Sequence, residues 1–152
     1  MQKISPFLWF DSEAEEAAKF YTSIFKNSKL GNITRYDAAS AAAGGRPAGS
    51  VLTVSFQLEG QDFTALNGGP IFKFSEAISF SVVCKDQAEI DFYWENLSVH
   101  PENEQCGWLK DKFGLSWQIV PENMGELTKT PKAMQAMLKM KKIIIADLQN
   151  AS

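Results

Sequence analysis

The sequence has little of what metal-dependent and nucleic-acid-binding proteins need. Of its 152 residues, one is histidine, His100, and two are cysteine, Cys84 and Cys106. Two cysteines without CxxC spacing exclude a dense disulfide framework and a cysteine-rich zinc site. The net charge is −3, so the chain lacks the excess of basic residues that displaces counterions from a nucleic acid. We expect reduced thiols and no nucleic-acid partner.

Long apolar runs are also missing. No stretch approaches the roughly 18 consecutive apolar residues of a membrane-spanning helix. The first ten residues, MQKISPFLWF, lack the pattern of a secretory signal peptide. We therefore expect a cytoplasmic protein without a membrane partner.

Signals for a strand, a helix and a hairpin occur twice along the chain in the same order. The first series has an apolar run from Ile4 to Phe10 and a helix capped by Ser12 with Glu15. Strands at 30–36, 51–58 and 62–66 follow, and the Ala/Gly-rich segment 38–49 is expected to be a mobile loop. The second series has a strand at 77–84, a helix capped by Asp86, and a hairpin over 106–120. Thr130 and Pro131 predict a further helix, and 142–148 a short terminal strand.

The repeated order, together with four motifs, resembles the PhnB-like branch of the vicinal oxygen chelate superfamily. The motifs are ISPFLWFD (4–11), ALNGGP (65–70), FKFSEAISF (72–80) and CGWLKDKFGLSWQIVP (106–121). This superfamily includes glyoxalase I, bleomycin-resistance proteins and extradiol dioxygenases, and the branch is labelled 3-demethylubiquinone-9 3-methyltransferase.

The resemblance implies an α+β fold of tandem βαβββ modules, whose curled mixed sheets surround a pocket. We expect one domain over 1–152, with module one at about 1–70, module two at about 71–121, and a C-terminal helix and tail at 122–152. The resemblance also implies a homodimer.

The resemblance places metal ligands on the first and fourth strands of each module. The corresponding residues are Ile4 and Thr64 in module one and Ser79 and Gln118 in module two. Catalytic divalent ions need imidazoles and carboxylates, so we expect no metal. We also expect no cofactor, because the glycine pairs 44–45 and 68–69 do not open a helix as a nucleotide-binding turn does.

Hydroxyl and amide side chains that alternate with apolar residues on the strands are the candidate ligand-binding residues. They are Thr53, Ser55, Thr64, Asn67, Ser79, Ser81 and Gln118, and the aromatic side chain of Trp108 is a further candidate as a wall of the pocket. The same residues also fit an ordinary half-buried sheet face. Asp111 is either a general base or an acceptor of backbone hydrogen bonds in its turn, and Trp117 is expected in the core with Ile119.

Three functions are compatible with these observations. The first is a metal-free protein that binds a small molecule in a cupped pocket. The second is a metal-dependent lyase, isomerase or dioxygenase, or a methyltransferase as the family label says. The third is a structural dimer module without a ligand. Whether the chain is an enzyme is left open by the sequence.

Overall fold

Two hydrogen-bonded sheets, one in each half of the chain, organise the structure. The coordinates are a computed structural model that describes residues 2–151. The first compact unit ends at Lys73 and the second begins at Phe74, near the module boundary expected at about residue 70.

The first unit has the order βαβββ, with one additional helix. Its mixed four-stranded sheet has the order β1-β4-β3-β2, in which β1 and β4 are parallel and the other neighbours antiparallel. The elements are β1 (Phe7–Phe10), α1 (Ala14–Ile24), β2 (Lys29–Arg35), α2 (Ala38–Gly44), β3 (Val51–Leu58) and β4 (Gln61–Asn67).

Alternation along β3 and β4 separates a buried face of this sheet from an open one. Val54 and Phe56 on β3 and Ala65 on β4 are almost fully buried. The intervening residues Ser55 and Thr64 are half-buried on the opposite face because successive side chains of a strand point to opposite sides. Helix α1 packs on the buried face and contributes an apolar stripe of Ala14, Ala17, Ala18, Tyr21 and Ile24.

The Ala/Gly-rich segment is a helix rather than the expected mobile loop. Alanine has the highest helix propensity of all residues, and both ends of α2 are capped. Asp37 and Ser40 form a reciprocal capping box at the start, and Gly45 ends the helix with a φ of 70°. The prediction of a loop at 38–49 was therefore wrong over Ala38–Gly44.

The second unit has a sheet with one strand fewer than the expected βαβββ pattern. Its three strands have the order β5-β7-β6, with β5 parallel and β6 antiparallel to the central β7. The segment between α3 and β6, expected to be a loop, contains a short 3-10 turn at Pro101–Asn103. The elements are β5 (Phe80–Cys84), α3 (Gln87–Leu97), β6 (Trp108–Lys110), β7 (Ser116–Pro121), α4 (Met124–Leu127), α5 (Pro131–Leu138) and α6 (Ile145–Asn150).

The three short helices after β7 form a cap with a small apolar core of its own. Leu127, Ile143 and Leu148 are buried there. The cap is joined to the sheet at the turn before β6, where the N–H groups of Cys106 and Gly107 donate to the carbonyls of Met140 and Lys141 across 2.8 Å each. The terminal strand expected at 142–148 was wrong, because α6 begins at Ile145.

The mixed α+β fold class with a C-terminal helix is confirmed. Helix α3 presents an apolar stripe of Ile90, Tyr93, Trp94 and Leu97 to the core. Within the described part of the chain, the helices are too short or too polar to cross a bilayer.

Candidate functional site

A groove of about 680 Å³ lies in the second unit between the open face of the sheet and the helical cap. This volume is in the range of small-molecule sites. Trp108 and Val120 form the wall on the sheet side, while Met124, Met137 and Leu138 form the wall on the cap side. The groove is therefore mainly apolar, with polar groups confined to a few positions.

Gln118 is at the centre of the sheet wall because β7 is the central strand. Trp108 of β6 lies opposite Gln118 in the antiparallel pair, and Ser81 of β5 lies beside it in the parallel pair. Residues paired in this way project to the same face of a sheet. The sheet register thus places Trp108, Gln118 and Ser81 in one row.

The amide of Gln118 has a defined orientation. Its Nε2 donates a hydrogen bond to Oγ of Ser79 across 3.0 Å. The carbonyl Oε1 accepts no hydrogen bond from the residues that the structure describes. The bond to Ser79 therefore leaves a hydrogen-bond acceptor at the centre of the groove wall.

Among the described residues, one charged side chain, that of Glu76, lines the groove. It forms an ion pair with Nζ of Lys110, and the hydrogen bond from Lys110 lowers the pKa of Glu76 below its ordinary value. Glu76 is accordingly ionised at neutral pH and already neutralised by a neighbouring cation.

Cys106 lies at the rim of the groove in a tight turn. Cys106 and Gly107 have φ values of 51° and 87°, and the flanking Gln105 and Trp108 exchange backbone hydrogen bonds of 3.1 and 2.8 Å. These values are typical of a two-residue hairpin turn, in which glycine is favoured because it lacks a Cβ. The Cys106 thiol is half-buried and donates to the carbonyl of Leu138 across 3.4 Å.

The first unit has a separate groove of about 450 Å³ on the open face of its sheet. Ser55 and Thr64 lie directly opposite each other on β3 and β4 and both line this groove. The hydroxyl of Ser55, however, is engaged with β2: it accepts from Asn32 N at 2.7 Å and donates to Asn32 O at 3.3 Å. The Thr53 hydroxyl is paired with that of Thr34 at 2.5 Å.

Asn67 was expected to bind a ligand, but it is buried inside the first unit. Its side chain is 5 % exposed, and both ends of its amide are bonded inside the first unit. Oδ1 accepts from Ala14 N at 2.8 Å and Nδ2 donates to Val51 O at 3.2 Å. Asn67 therefore connects β4, β3 and the start of α1, and leaves no polar atom for a ligand.

The eight candidate residues thus fall into separate groups. Trp108 and Gln118 line the larger groove, Ser79 orients Gln118, and Ser81 stands exposed beside it. Ser55 and Thr64 line the smaller groove, with Thr53 farther along the same face. From the sequence, the run Met134, Met137, Leu138 and Met140 fitted either an adaptable interface or a stripe that docks on the core; two of these residues, Met137 and Leu138, line the groove.

The four positions at which the resemblance places metal ligands do not carry suitable donor groups. Ile4 has no donor atom and is 87 % exposed, and the other three, Thr64, Ser79 and Gln118, offer neutral hydroxyl or amide groups. Across residues 2–151, no three side chains of the His, Cys, Asp and Glu types come together in a way that could hold a metal ion. These residues do not fit the divalent ion of the superfamily, and no step is assigned to it.

The glycine turns do not fit a nucleotide-type cofactor such as S-adenosylmethionine. Such a site uses a glycine-rich turn that opens a helix, whose free N–H groups face the ligand. Gly45 instead ends α2. The N–H groups of Gly68 and Gly69 are bonded to the carbonyls of Phe10 and Asp11 at 2.9 and 3.2 Å, so they are not available to a cofactor.

Comparison with protein families gives one match over most of the chain. The family described as 3-demethylubiquinone-9 3-methyltransferase matches residues 2–120. A comparison with curated protein sequences yields no match.

Several solved structures are similar to this chain. A putative 3-demethylubiquinone-9 3-methyltransferase, the PhnB protein from Bacillus cereus, is 36% identical, with a TM-score of 0.65 over 79% of this chain and 99% of that one. Protein PA1353 from Pseudomonas aeruginosa is 17% identical, with a TM-score of 0.58 over 80% and 98%. A glyoxylase/bleomycin resistance protein/dioxygenase domain from Frankia is 13% identical, with a TM-score of 0.50 over 82% and 95%. The last two show similarity of fold alone.

Proposed function

Because the chain belongs to the PhnB-like family described as 3-demethylubiquinone-9 3-methyltransferase, we propose that it binds an apolar small molecule in the groove of its second unit. The observation that supports this proposal is the pairing of Trp108 with Gln118 on one wall of the groove. A large aromatic surface and the amide of Gln118 face an apolar cap wall, and the other polar lining residues are Glu76, Asn103, Gln105 and Cys106. This combination is typical of small-molecule pockets.

The cap wall suits a ligand that varies in shape. Met124 and Met137 contribute unbranched, polarizable side chains that adapt to irregular surfaces. Both also pack against the cap core, so their backbones are held while their side-chain ends face the groove. Binding is the function proposed, because neither the metal positions nor the glycine turns carry the groups that the corresponding reactions need.

The test uses 2-methoxynaphthalene, a flat and uncharged probe, and isothermal titration calorimetry. We expect saturable binding to the purified protein. Trp108→Leu should weaken it by about ten-fold or more, because removing a large aromatic contact costs about 1.4 kcal/mol or more. Trp9→Leu is the matched control, since Trp9 lies in the first unit. Failure of the unmodified protein to bind both this probe and its analogues 2-naphthol and 2-naphthoate, or equal weakening by both substitutions, would overturn the proposal.

A second readout uses the thiol at the rim. Cys106 lines the groove, whereas Cys84 is fully buried. Bound probe is expected to slow the alkylation of Cys106 by iodoacetamide. Mass spectrometry of the peptide that contains Cys106 measures the rate of this alkylation. Protection that persists in Trp108→Leu would show that the probe acts elsewhere.

The homodimer and the cytoplasmic location stay predictions. Light scattering of the purified chain tests the first, and fractionation of the source cells tests the second. Neither is needed for the groove proposed here, because its lining residues all belong to one unit of one chain.

A further inference from the structure

The lining of the groove limits the charge of its ligand. In the part of the chain that the structure describes, no lysine or arginine lines it, so an anionic group would find no cation on its walls. The carboxylate of Glu76 is held by Lys110, so a cationic ligand would have to displace that partner. Burying an unpaired charge is unfavourable. The groove therefore favours an uncharged molecule over either type of ion.

The orientation of Gln118 limits the hydrogen-bonding character of the ligand. One of the two N–H groups of Nε2 is bonded to Ser79 Oγ at 3.0 Å, which fixes the amide and leaves the acceptor Oε1 without a partner among the described residues. A ligand with a hydroxyl or N–H group satisfies this oxygen, whereas an ether in the same place leaves it without a partner. Sites that present a fixed acceptor in this way discriminate strongly against analogues that lack the donor.

The position of Trp108 limits the shape of the ligand. Trp108 and Gln118 are directly opposite each other in the β6–β7 register. A ligand ring that packs on the indole of Trp108 therefore has its substituents next to the side-chain amide of Gln118. The distance between the indole and the amide is short, because paired residues of antiparallel strands have Cβ atoms about 5 Å apart. A donor attached directly to a flat ring matches this spacing better than one on a long chain.

From these three features we infer that the ligand is an uncharged aromatic alcohol, whose ring packs on Trp108 and whose hydroxyl donates a hydrogen bond to Oε1 of Gln118. This inference rests on the proposed function and specifies the chemical class of the ligand. Ser79 acts as a positioning residue, because it holds the amide with its carbonyl toward the groove.

The test compares three probes that share one ring system: 2-naphthol, 2-methoxynaphthalene and 2-naphthoate. Calorimetry at neutral pH is expected to show that 2-naphthol binds about ten-fold more tightly than the ether, since one hydrogen bond of about 1.4 kcal/mol corresponds to that factor. The anionic 2-naphthoate is expected to bind more weakly than the ether.

Two variants connect this preference with the named atoms. Gln118→Met keeps the length of the side chain and removes the amide, so the affinities for naphthol and ether should become equal. Ser79→Ala should reduce the preference without removing ether binding, because the amide is then free to rotate. Circular dichroism and thermal unfolding confirm that each variant is folded.

The outcomes separate the two proposals. If the ether binds as tightly as naphthol and Trp108→Leu weakens both, the groove binds apolar molecules but the alcohol inference is wrong. If naphthoate binds most tightly, the inference of an uncharged ligand is wrong. If the naphthol preference survives Gln118→Met, the hydroxyl contacts another group and the inference is wrong. If none of the three probes binds, the proposed function and this inference both fail.

Discussion

The indole N–H of Trp117 donates a hydrogen bond to Oδ2 of Asp111 across 2.9 Å. Asp111 has no exposed surface, and its other oxygen accepts from the N–H groups of Phe113 and Leu115 at 2.8 and 3.1 Å. The buried carboxyl group of Asp111 accepts these hydrogen bonds and so holds the turn between β6 and β7. Of the two roles that the sequence left open for Asp111, this geometry supports the structural one.

Asp111→Asn is therefore expected to lower the free energy of unfolding by about 2 kcal/mol, because an amide turns an N–H group toward donors that need an acceptor. Glu95→Gln removes the same charge from an exposed position on α3 and should change stability by less than about 0.5 kcal/mol. Urea unfolding followed by tryptophan fluorescence measures both. Equal effects would mean that Asp111 contributes through its charge and not through these bonds.

The amide of Asn67 caps helix α1 from a distant strand. Asn67→Ala removes the acceptor for Ala14 N and the donor to Val51 O, and we expect a loss of about 2 kcal/mol. Ser12→Ala is the matched comparison, since Ser12 was predicted to cap this helix but its side chain makes no capping bond in the described structure. Ser12→Ala should lower the free energy of unfolding by less than about 0.5 kcal/mol. A larger loss from Ser12→Ala than from Asn67→Ala would contradict the assignment.

Helix α1 illustrates what the sequence reveals and what it does not. Its buried stripe was predictable because the spacing of apolar residues within a helix is a local property. The residue that caps α1 could not be predicted from the local sequence, because Asn67 follows Ala14 by 53 residues. The pairing of β1 with β4 brings the two residues together. Helix α2 was missed for another reason: small residues were read as a flexible segment, although alanine between two good caps forms a helix.

The residues of the candidate site also divide into those that the sequence predicts and those that it does not. Gln118 was identified from a position that the family resemblance gives to a metal ligand, and Trp108 from its place in the predicted hairpin. The register between β6 and β7 places the two residues opposite each other. Met124 and Leu138 were not identified, since their place on the groove depends on how the cap docks against the turn at Cys106. No periodicity in the sequence encodes that contact.

Gly31 on β2 lies against the hydroxyl of Ser55. A Cβ at position 31 would overlap with Ser55 Oγ, so Gly31→Ala is expected to lower stability by about 1–3 kcal/mol. Gly125→Ala is the control, because a Cβ there meets nothing within 4 Å, and its effect should be near zero or slightly stabilising. Thermal unfolding checks both variants.

The double variant Gly31→Ala with Ser55→Ala tests the cause. Removing the hydroxyl relieves part of the overlap, so the double variant should be more stable than the sum of the single effects predicts. Recovery is expected to be partial, because the carbonyl oxygen of Ser55 also lies 3.0 Å from the place that a Cβ of residue 31 would occupy. Strict additivity would show that Gly31 is needed for its backbone conformation and not for this contact.

The buried thiol of Cys84 makes stability depend on pH in the alkaline range. Burial, reinforced by the negative charges of Glu89 and Asp86, raises the pKa of Cys84 from 9.0 to about 12. Above pH 9.0 the unfolded chain loses the thiol proton while the folded chain keeps it, so the stabilising contribution is complete below 9.0 and is lost as the pH rises toward 12. Comparing the unfolding free energy of the unmodified protein with that of Cys84→Ala, from neutral pH to about pH 10.5, isolates this effect. The unmodified protein should lose stability more steeply above 9.0, whereas parallel curves would show that the thiol titrates equally in both states.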